Sequence, residues 1–272
     1  MAQKKIGIYG SLESTANNKV EDLYLIVDGQ SIVFSVKNNI TNQYVSFEYF
    51  LNTGDNQGWS QLMAYLQNNS RLMHAFYKHI YFIMNTSHVV LSNATSNTDV
   101  LQYQQELNLV HGIKSEEEIY SNDIGSGKVL VYGVPDALST LLTRAFPTGK
   151  WQHYAAYLIN NLPANGVFVQ LFDTNFCLYI VVDGQVKLLN YYPIEGKDQN
   201  SYVVLNACIN CNVDSNIIPL YVYGYNAEQH EFIKMVAPYF ESLHLIKAPN
   251  EGIGSKLNLD YPNHTYSTYF IF

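Results

Sequence analysis

Residues 166–194 read GVFVQLFDTNFCLYIVVDGQVKLLNYYPI. Three β-rich runs are parted there only by Asp173-Thr174-Asn175 and by Asp183-Gly184-Gln185. Tight polar breaks between apolar or alternating runs are the signal of hairpins, so the segment is predicted to fold as an antiparallel three-strand meander. Residues 23–50, LYLIVDGQSIVFSVKNNITNQYVSFEYF, carry a second such pattern, with strands expected at 23–28, 31–37 and 43–50. Each meander runs on into helix and strand signals, so one α/β unit is expected twice. A chain of 272 residues is long enough for two cores of about 130 residues each.

Between the meanders, Trp59, Leu62, Met63, Leu66, Leu72, Met73 and Phe76 recur near a 3.6-residue period, which predicts a helix over 59–77. Strands are expected at 79–84, 88–91 and 128–134, with a helix over 99–109 capped by Thr98 or Asp99. Lys114 opens a polar stretch, and Pro135 stands where proline starts a helix, here over 136–146. A short strand near Trp151 and a helix over 154–162 close the first half. Asn161-Leu162-Pro163-Ala164-Asn165-Gly166 is rich in turn formers and marks the boundary. The second half continues with helices over 198–212 and 227–240, strands at 220–224 and 242–247, and an aromatic tail, 266–272, read as a last strand. The expected organisation is a loosely held leader over 1–20, an N-terminal lobe over 21–163 and a C-terminal lobe over 164–272.

The letters of Tyr24–Gln30 (YLIVDGQ) and Tyr179–Gln185 (YIVVDGQ) nearly repeat. Asp28, however, ends the first strand of its meander, whereas Asp183 ends the second strand. Side chains alternate between faces at every residue, so strand order outweighs matching letters, and Asp28 is paired with Asp173 instead.

A net charge of −8, with Lys and Arg scattered, gives no basic footprint for displacing phosphate counterions. Direct nucleic-acid binding is therefore not expected. No apolar run reaches the length of a membrane span. Three cysteines make no disulfide framework, so a reduced, cytoplasmic setting is expected.

A three-strand meander followed by helix and strand, twice over, is how the duplicated actin-like ATPase (ribonuclease H-like) fold presents itself. The fold class expected is thus α/β, with two lobes that each hold a three-strand meander plus helices. Residues 131–147 (VYGVPDALSTLLTRAFP), the second meander and residues 216–224 (NIIPLYVYG) resemble a bacterial family of unknown function, domain-of-unknown-function family 3822. That resemblance implies the actin-like duplicated fold and no established activity.

Actin-like ATPases grip phosphate with an Asp-X-Gly loop from each meander and adenosine with a Gly-Gly turn. Glycine is needed because a backbone N–H must approach phosphate without a Cβ in the way. Here the first loop is Asp28-Gly29-Gln30-Ser31, with glycine displaced by one place. The second is Asp173-Thr174-Asn175-Phe176, with no glycine. The third is Gly224-Tyr225-Asn226, whose tyrosine would crowd a purine. The degenerate nucleotide cleft thus comprises Asp28, Gly29, Ser31, Asp173, Thr174 and Gly224, and turn formation is the plainer role for both aspartates. A ribonuclease H-type nuclease needs carboxylates converging on metal, yet residues 59–77 and 79–84 contain none.

Gly125-Ser126-Gly127-Lys128 lacks the upstream glycine of a phosphate loop, Asn122 standing there, and is read as a hairpin turn. Cys208-Ile209-Asn210-Cys211 falls at a helix end, where it is read as two half-buried thiols. Glu116, Glu117 and Glu118 are read as a solvated acidic face. No catalytic residue, metal ligand or cofactor is assigned. The function expected is a non-catalytic scaffold that binds a protein partner, and the alternative is a divergent nucleotide-binding or ATP-hydrolysing protein.

Overall fold

The computed structural model describes residues 2–10, 20–29, 31–52, 58–93, 100–112, 116–159, 161–172, 175–224, 227, 230–247, 252–260, 266, 268–270 and 272. Its contacts divide the chain into two compact units. One holds residues 1–160 with 251–253 and 272, and the other holds 161–250 with 254–271.

The first unit is built on a six-stranded sheet. Its strands are β1 (Ala2–Tyr9), β2 (Glu21–Asp28), β3 (Ser31–Asn38), β4 (Gln43–Asn52), β5 (His79–Asn85) and β9 (Lys150–His153). Their spatial order is β1-β4-β3-β2-β5-β9. The meander strands pair antiparallel, and β2, β5 and β9 run parallel to one another. Helices α1 (Trp59–Asn69), α3 (Asp136–Ala145) and α4 (Tyr154–Ile159) flank it. Leu23, Leu25, Val27, Ile32, Phe34 and Phe82 are almost wholly buried, so β2, β3 and β5 run through the middle of the core. A smaller sheet, of order β6-β8-β7, is inserted after β5. It comprises β6 (Val89–Asn93), β7 (Glu117–Asp123) and β8 (Lys128–Pro135), with α2 (Val100–His111) packing Leu107 on Val129 and Val131.

The second unit repeats the main sheet. Strands β10 (Gly166–Leu171), β11 (Asn175–Val182), β12 (Gln185–Pro193), β13 (Leu220–Gly224) and β14 (Leu243–Leu245) lie in the order β12-β11-β10-β13-β14. Counted along each meander, this is the order β4-β3-β2-β5-β9 of the first unit, with the same parallel and antiparallel senses. Asp183 and Gly184 both take positive φ in the two-residue turn between β11 and β12, the hairpin geometry that Asp-Gly supplies. Helices α5 (Lys197–Asn210) and α6 (Glu231–Val236) complete a core around Val169, Leu178, Val204, Val222, Phe232 and Val236. Helix α7 (Ile253–Asp260) follows β14. Among the described residues, no helix is long and apolar enough to cross a membrane.

Several sequence expectations are corrected. Residues 2–9, read as leader, are a strand on the edge of β4. Its anchor is Lys4, whose Nζ lies 2.5 Å from the wholly buried Glu48 carboxylate. The helix read over 59–77 stops at Asn69. Ser70 turns the chain, its Oγ accepting from the Leu72 and Met73 amides and donating to Glu48. Residues 117–123 were read as part of a polar stretch and are β7, which pairs with β8 and is half-exposed. The helix read over 227–240 is α6 and a 3₁₀ turn at Ala237–Tyr239, with Pro238 at its start. In the tail, Tyr266, Thr268, Tyr269, Phe270 and Phe272 lie in no strand. Thr98 and Asp99, offered as caps of α2, lie outside the described residues.

Candidate functional site

In open α/β sheets, ligands bind beyond the carboxyl ends of parallel strands. In the first unit that edge is formed by the ends of β2, β5 and β9, carrying Asp28, Asn85 and His153. Asp28 and Asn85 are ladder partners, and the Asn85 side-chain amide donates to Asp28 Oδ1 at 2.9 Å. Asp28 also faces Ser31, whose Oγ donates to the Asp28 carbonyl at 2.9 Å. Gly29 follows Asp28 in the turn. Gly29 takes φ +53°, and a Cβ there would meet nothing within 4 Å. The glycine answers a backbone need of the turn, and the space beside it is open.

His153 is fully buried. Its Nε2 lies 3.0 Å from the Thr86 carbonyl, and its Nδ1 accepts from the Ala155 amide at the start of α4. Burial pulls its pKa down to about 4, only partly countered by Thr86, so it is neutral and acts as a helix cap. Among the described residues, no cluster of His, Cys, Asp or Glu could hold a metal ion.

The corresponding edge of the second unit differs by one residue. The Phe172 amide donates to the Asn175 carbonyl at 2.9 Å, continuing the ladder in which Leu171 faces Phe176. The ladder position of Asp28 is held by Phe172, which is buried. The expected pairing of Asp28 with Asp173 rests on strand order, whereas by ladder register Asp28 is matched by Phe172. Asp173 and Thr174 lie outside the described residues, as do Tyr225 and Asn226.

Gly224 ends β13 opposite Leu171, with φ +102°. A Cβ built on it would stand 2.1 Å from the Leu171 carbonyl oxygen. Its glycine is required by the neighbouring strand, which is reason enough for it without a ligand. Of the six cleft residues read from sequence, Asp28, Gly29 and Ser31 come together at one turn. Gly224 stands at the matching edge of the other sheet. Asn85 was missed because the strand was read as ending at Met84. A register count of HIYFIMN against residues 22–28 would have found it.

The other motifs resolve into structure. Gly125, Ser126 and Gly127 all take positive φ between β7 and β8, and the Ile124 amide donates to the Lys128 carbonyl, making a hairpin turn. Cys211 caps the end of α5. Burial pushes the Cys208 thiol up to about 11 and raises that of Cys211, the opposite of an activated pair. The acidic run is not simply solvated. Glu117 Oε2 lies 2.5 Å from His88 Nδ1, over the bare Cα of Gly133. Glu118 accepts from Ser139 Oγ at 2.7 Å and from the Tyr120 hydroxyl at 2.5 Å. An open polar pocket of about 260 Å³ lies where β7 meets β9 and α4, lined by Ser121, Asn122, Asp123, Gln152, Ala156 and Tyr157. Asn122 is committed there, its side-chain oxygen accepting from the His153 amide at 2.6 Å.

Comparison with known proteins identifies the architecture. The model of a family described as a protein of unknown function, DUF3822, matches residues 12–243. A crystal structure from Bacteroides thetaiotaomicron, described as a protein with an actin-like ATPase fold and unknown function, aligns with TM-score 0.73 at 14% identity. That alignment covers 84% of this chain and 91% of the other. The ethanolamine utilization protein EutJ from Carboxydothermus hydrogenoformans aligns with TM-score 0.50 at 8% identity, covering 92% and 89%. No curated protein matches the sequence. Identities this low establish the fold alone, and the fold is the duplicated actin-like ATPase fold.

Proposed function

The chain belongs to the DUF3822 family, and from that premise we propose that it is a non-catalytic, actin-like scaffold binding a protein partner in the cytoplasm. One observation carries the reading. At the ladder position where the first meander presents Asp28, the second presents a buried phenylalanine, Phe172. A phosphate grip built from two matching acid turns would lose its symmetry there, and an aromatic ring offers phosphate neither charge nor a donor. Asp28 is meanwhile engaged by Asn85 at 2.9 Å, and Gly224 is explained by the Leu171 carbonyl. A partner that is protein rather than nucleic acid accords with the net charge of −8.

Thermal unfolding with and without ATP·Mg²⁺ or GTP·Mg²⁺ tests this. A ligand present at 100 times its Kd adds about 2.7 kcal/mol of stability, and no such shift is expected. A clear shift that Asp28→Ala abolishes would overturn the proposal in favour of nucleotide binding. Cross-linked pull-downs from native lysate are expected to return a specific protein, and repeated recovery of the bait alone would count against the scaffold.

A further inference from the structure

One face of the first sheet carries a row of side chains set by ladder register. Tyr44 faces Lys37, and Lys37 faces Asp22. Tyr24 stands two residues along β2 from Asp22 and so shares its face. Against this face lies Phe272, only 2% exposed. Its ring stacks on Tyr24 at 5.1 Å and meets Tyr154 at 5.6 Å and Tyr157 at 4.9 Å. Its carbonyl oxygen accepts from Lys37 Nζ at 2.6 Å and from the Tyr44 hydroxyl at 2.6 Å. Three aromatic walls thus hold the ring while a cation and a phenol hold the oxygen. Burial lowers the Lys37 pKa and Asp22 opposes that, so Asp22 helps to keep the cation charged. Lys37 also lies over the Tyr44 ring, 5.6 Å from its centroid, which fixes its direction.

This is more than the sheet needs to cover an apolar patch. A hydrophobic lid calls for no lysine, and a half-buried lysine beside a phenol is suited to holding an oxygen acceptor between them. Phe272 meets this face through its ring and its backbone oxygen. A peptide of the same chemistry could match those contacts in full.

We infer that Tyr24, Lys37, Tyr44, Tyr154 and Tyr157 form a peptide-recognition socket. It takes an aromatic residue together with its carbonyl oxygen, and the chain's own residue 272 fills it in cis. The inference does not depend on the scaffold reading, because the socket lies away from the turn at Asp28 and would exist whether or not nucleotide binds there.

The test uses the full chain and a fluorescent peptide with the sequence of residues 265–272, TYSTYFIF. Phe272→Ala empties the ring site, so the peptide is expected to bind that variant at least tenfold more tightly than it binds the wild type. Adding Lys37→Met to the variant is expected to weaken binding at least tenfold, and a peptide ending in Ala is expected not to bind. No binding to the Phe272→Ala chain, equal binding to variant and wild type, or indifference to Lys37→Met would each overturn the inference. A second measurement needs no variant. Peptide carrying a photoreactive aromatic residue in place of Phe272 is added in excess to the wild-type chain and irradiated. Label is expected on the segments holding Tyr24 and Tyr157, and label elsewhere or none would refute the socket.

Discussion

Glu48 offers the sharpest test of how the first unit is held together. Its side chain is wholly buried on β4 and accepts from Lys4 Nζ at 2.5 Å, from the Arg71 amide at 3.1 Å, and from Tyr9 and Ser70 hydroxyls. Gly7 stands opposite Glu48 in the ladder, and a Cβ there would lie 2.7 Å from Lys4 Cε and 3.1 Å from the Tyr9 hydroxyl. Its bare Cα makes room for both donors. Burial lowers the Lys4 pKa, but the hydrogen bonds and charge of Glu48, with Tyr9, raise it above the ordinary lysine value. Being raised, this stabilisation is fully present below the unfolded lysine pKa and is lost only as pH rises through the folded one. Lys4→Met should therefore strip a buried carboxylate of its cation at neutral pH. Breaking a fully buried pair from one side costs about 3–5 kcal/mol. Lys4 is a quarter exposed, so water screens part of the interaction. Three donors also remain, and the expected loss falls to about 2–3 kcal/mol. Urea unfolding should show a lower midpoint at unchanged m, on the transition that reports the first unit. Replacing both partners, Lys4→Met with Glu48→Gln, leaves no orphaned charge and keeps an acceptor oxygen for the Tyr9 hydroxyl and the Arg71 amide, so it should recover at least half of that loss. A cost under about 0.5 kcal/mol for Lys4→Met, or a double variant no more stable than the single one, would refute the reasoning.

Gly224→Ala should lower stability by about 2 kcal/mol or more with no ligand present, because the new Cβ meets a strand carbonyl and φ is +102°; an unchanged melting temperature would show that the glycine serves something other than packing. His153 should make the fold acid-sensitive. Its pKa is depressed to about 4 in the folded chain, so the unfolded chain binds the extra proton as pH falls below about 6.5. Stability should decline from there to about pH 4 by up to about 3 kcal/mol, and a His153→Gln chain that loses as much over that window would refute this.

The meanders were legible because they rest on local chemistry. Asp183-Gly184 takes the paired positive φ of a two-residue hairpin, and apolar runs long enough to be buried on both faces became central strands. The first eight-residue strand was not legible because its reason to exist is non-local. AQKKIGIY reads as a charged leader until Lys4 is seen against Glu48, 44 positions away. The end of α1 was missed for the same reason: the apolar period continues through Leu72 and Met73, but Ser70 is recruited by Glu48 and turns the chain. At the candidate site, sequence places Asp28 and Asp173 alike after apolar runs. Only the ladder shows that Asp28 faces Ser31 and that the matching position of the second meander is Phe172, facing Asn175.

The difference between Asp28 and Phe172 at matching ladder positions shows how two sheets can keep the same topology while ceasing to be chemically equivalent. Strand order and sense are set by buried side chains along whole strands, and neither unit can exchange those without losing its core. The residue that ends a strand carries no such burden. Matching ladders set Val27 and Met84 against Leu171 and Gly224, and Asp28 against Phe172. A carboxylate, a thioether and a bare Cα are interchangeable there as far as the fold is concerned, provided the neighbouring strand fits around them. The Leu171 carbonyl does fit around Gly224, at a distance that no other residue at 224 would allow. At Gly224 the backbone of the neighbouring strand leaves no room for a Cβ, whereas a Cβ at Gly29 would meet nothing within 4 Å.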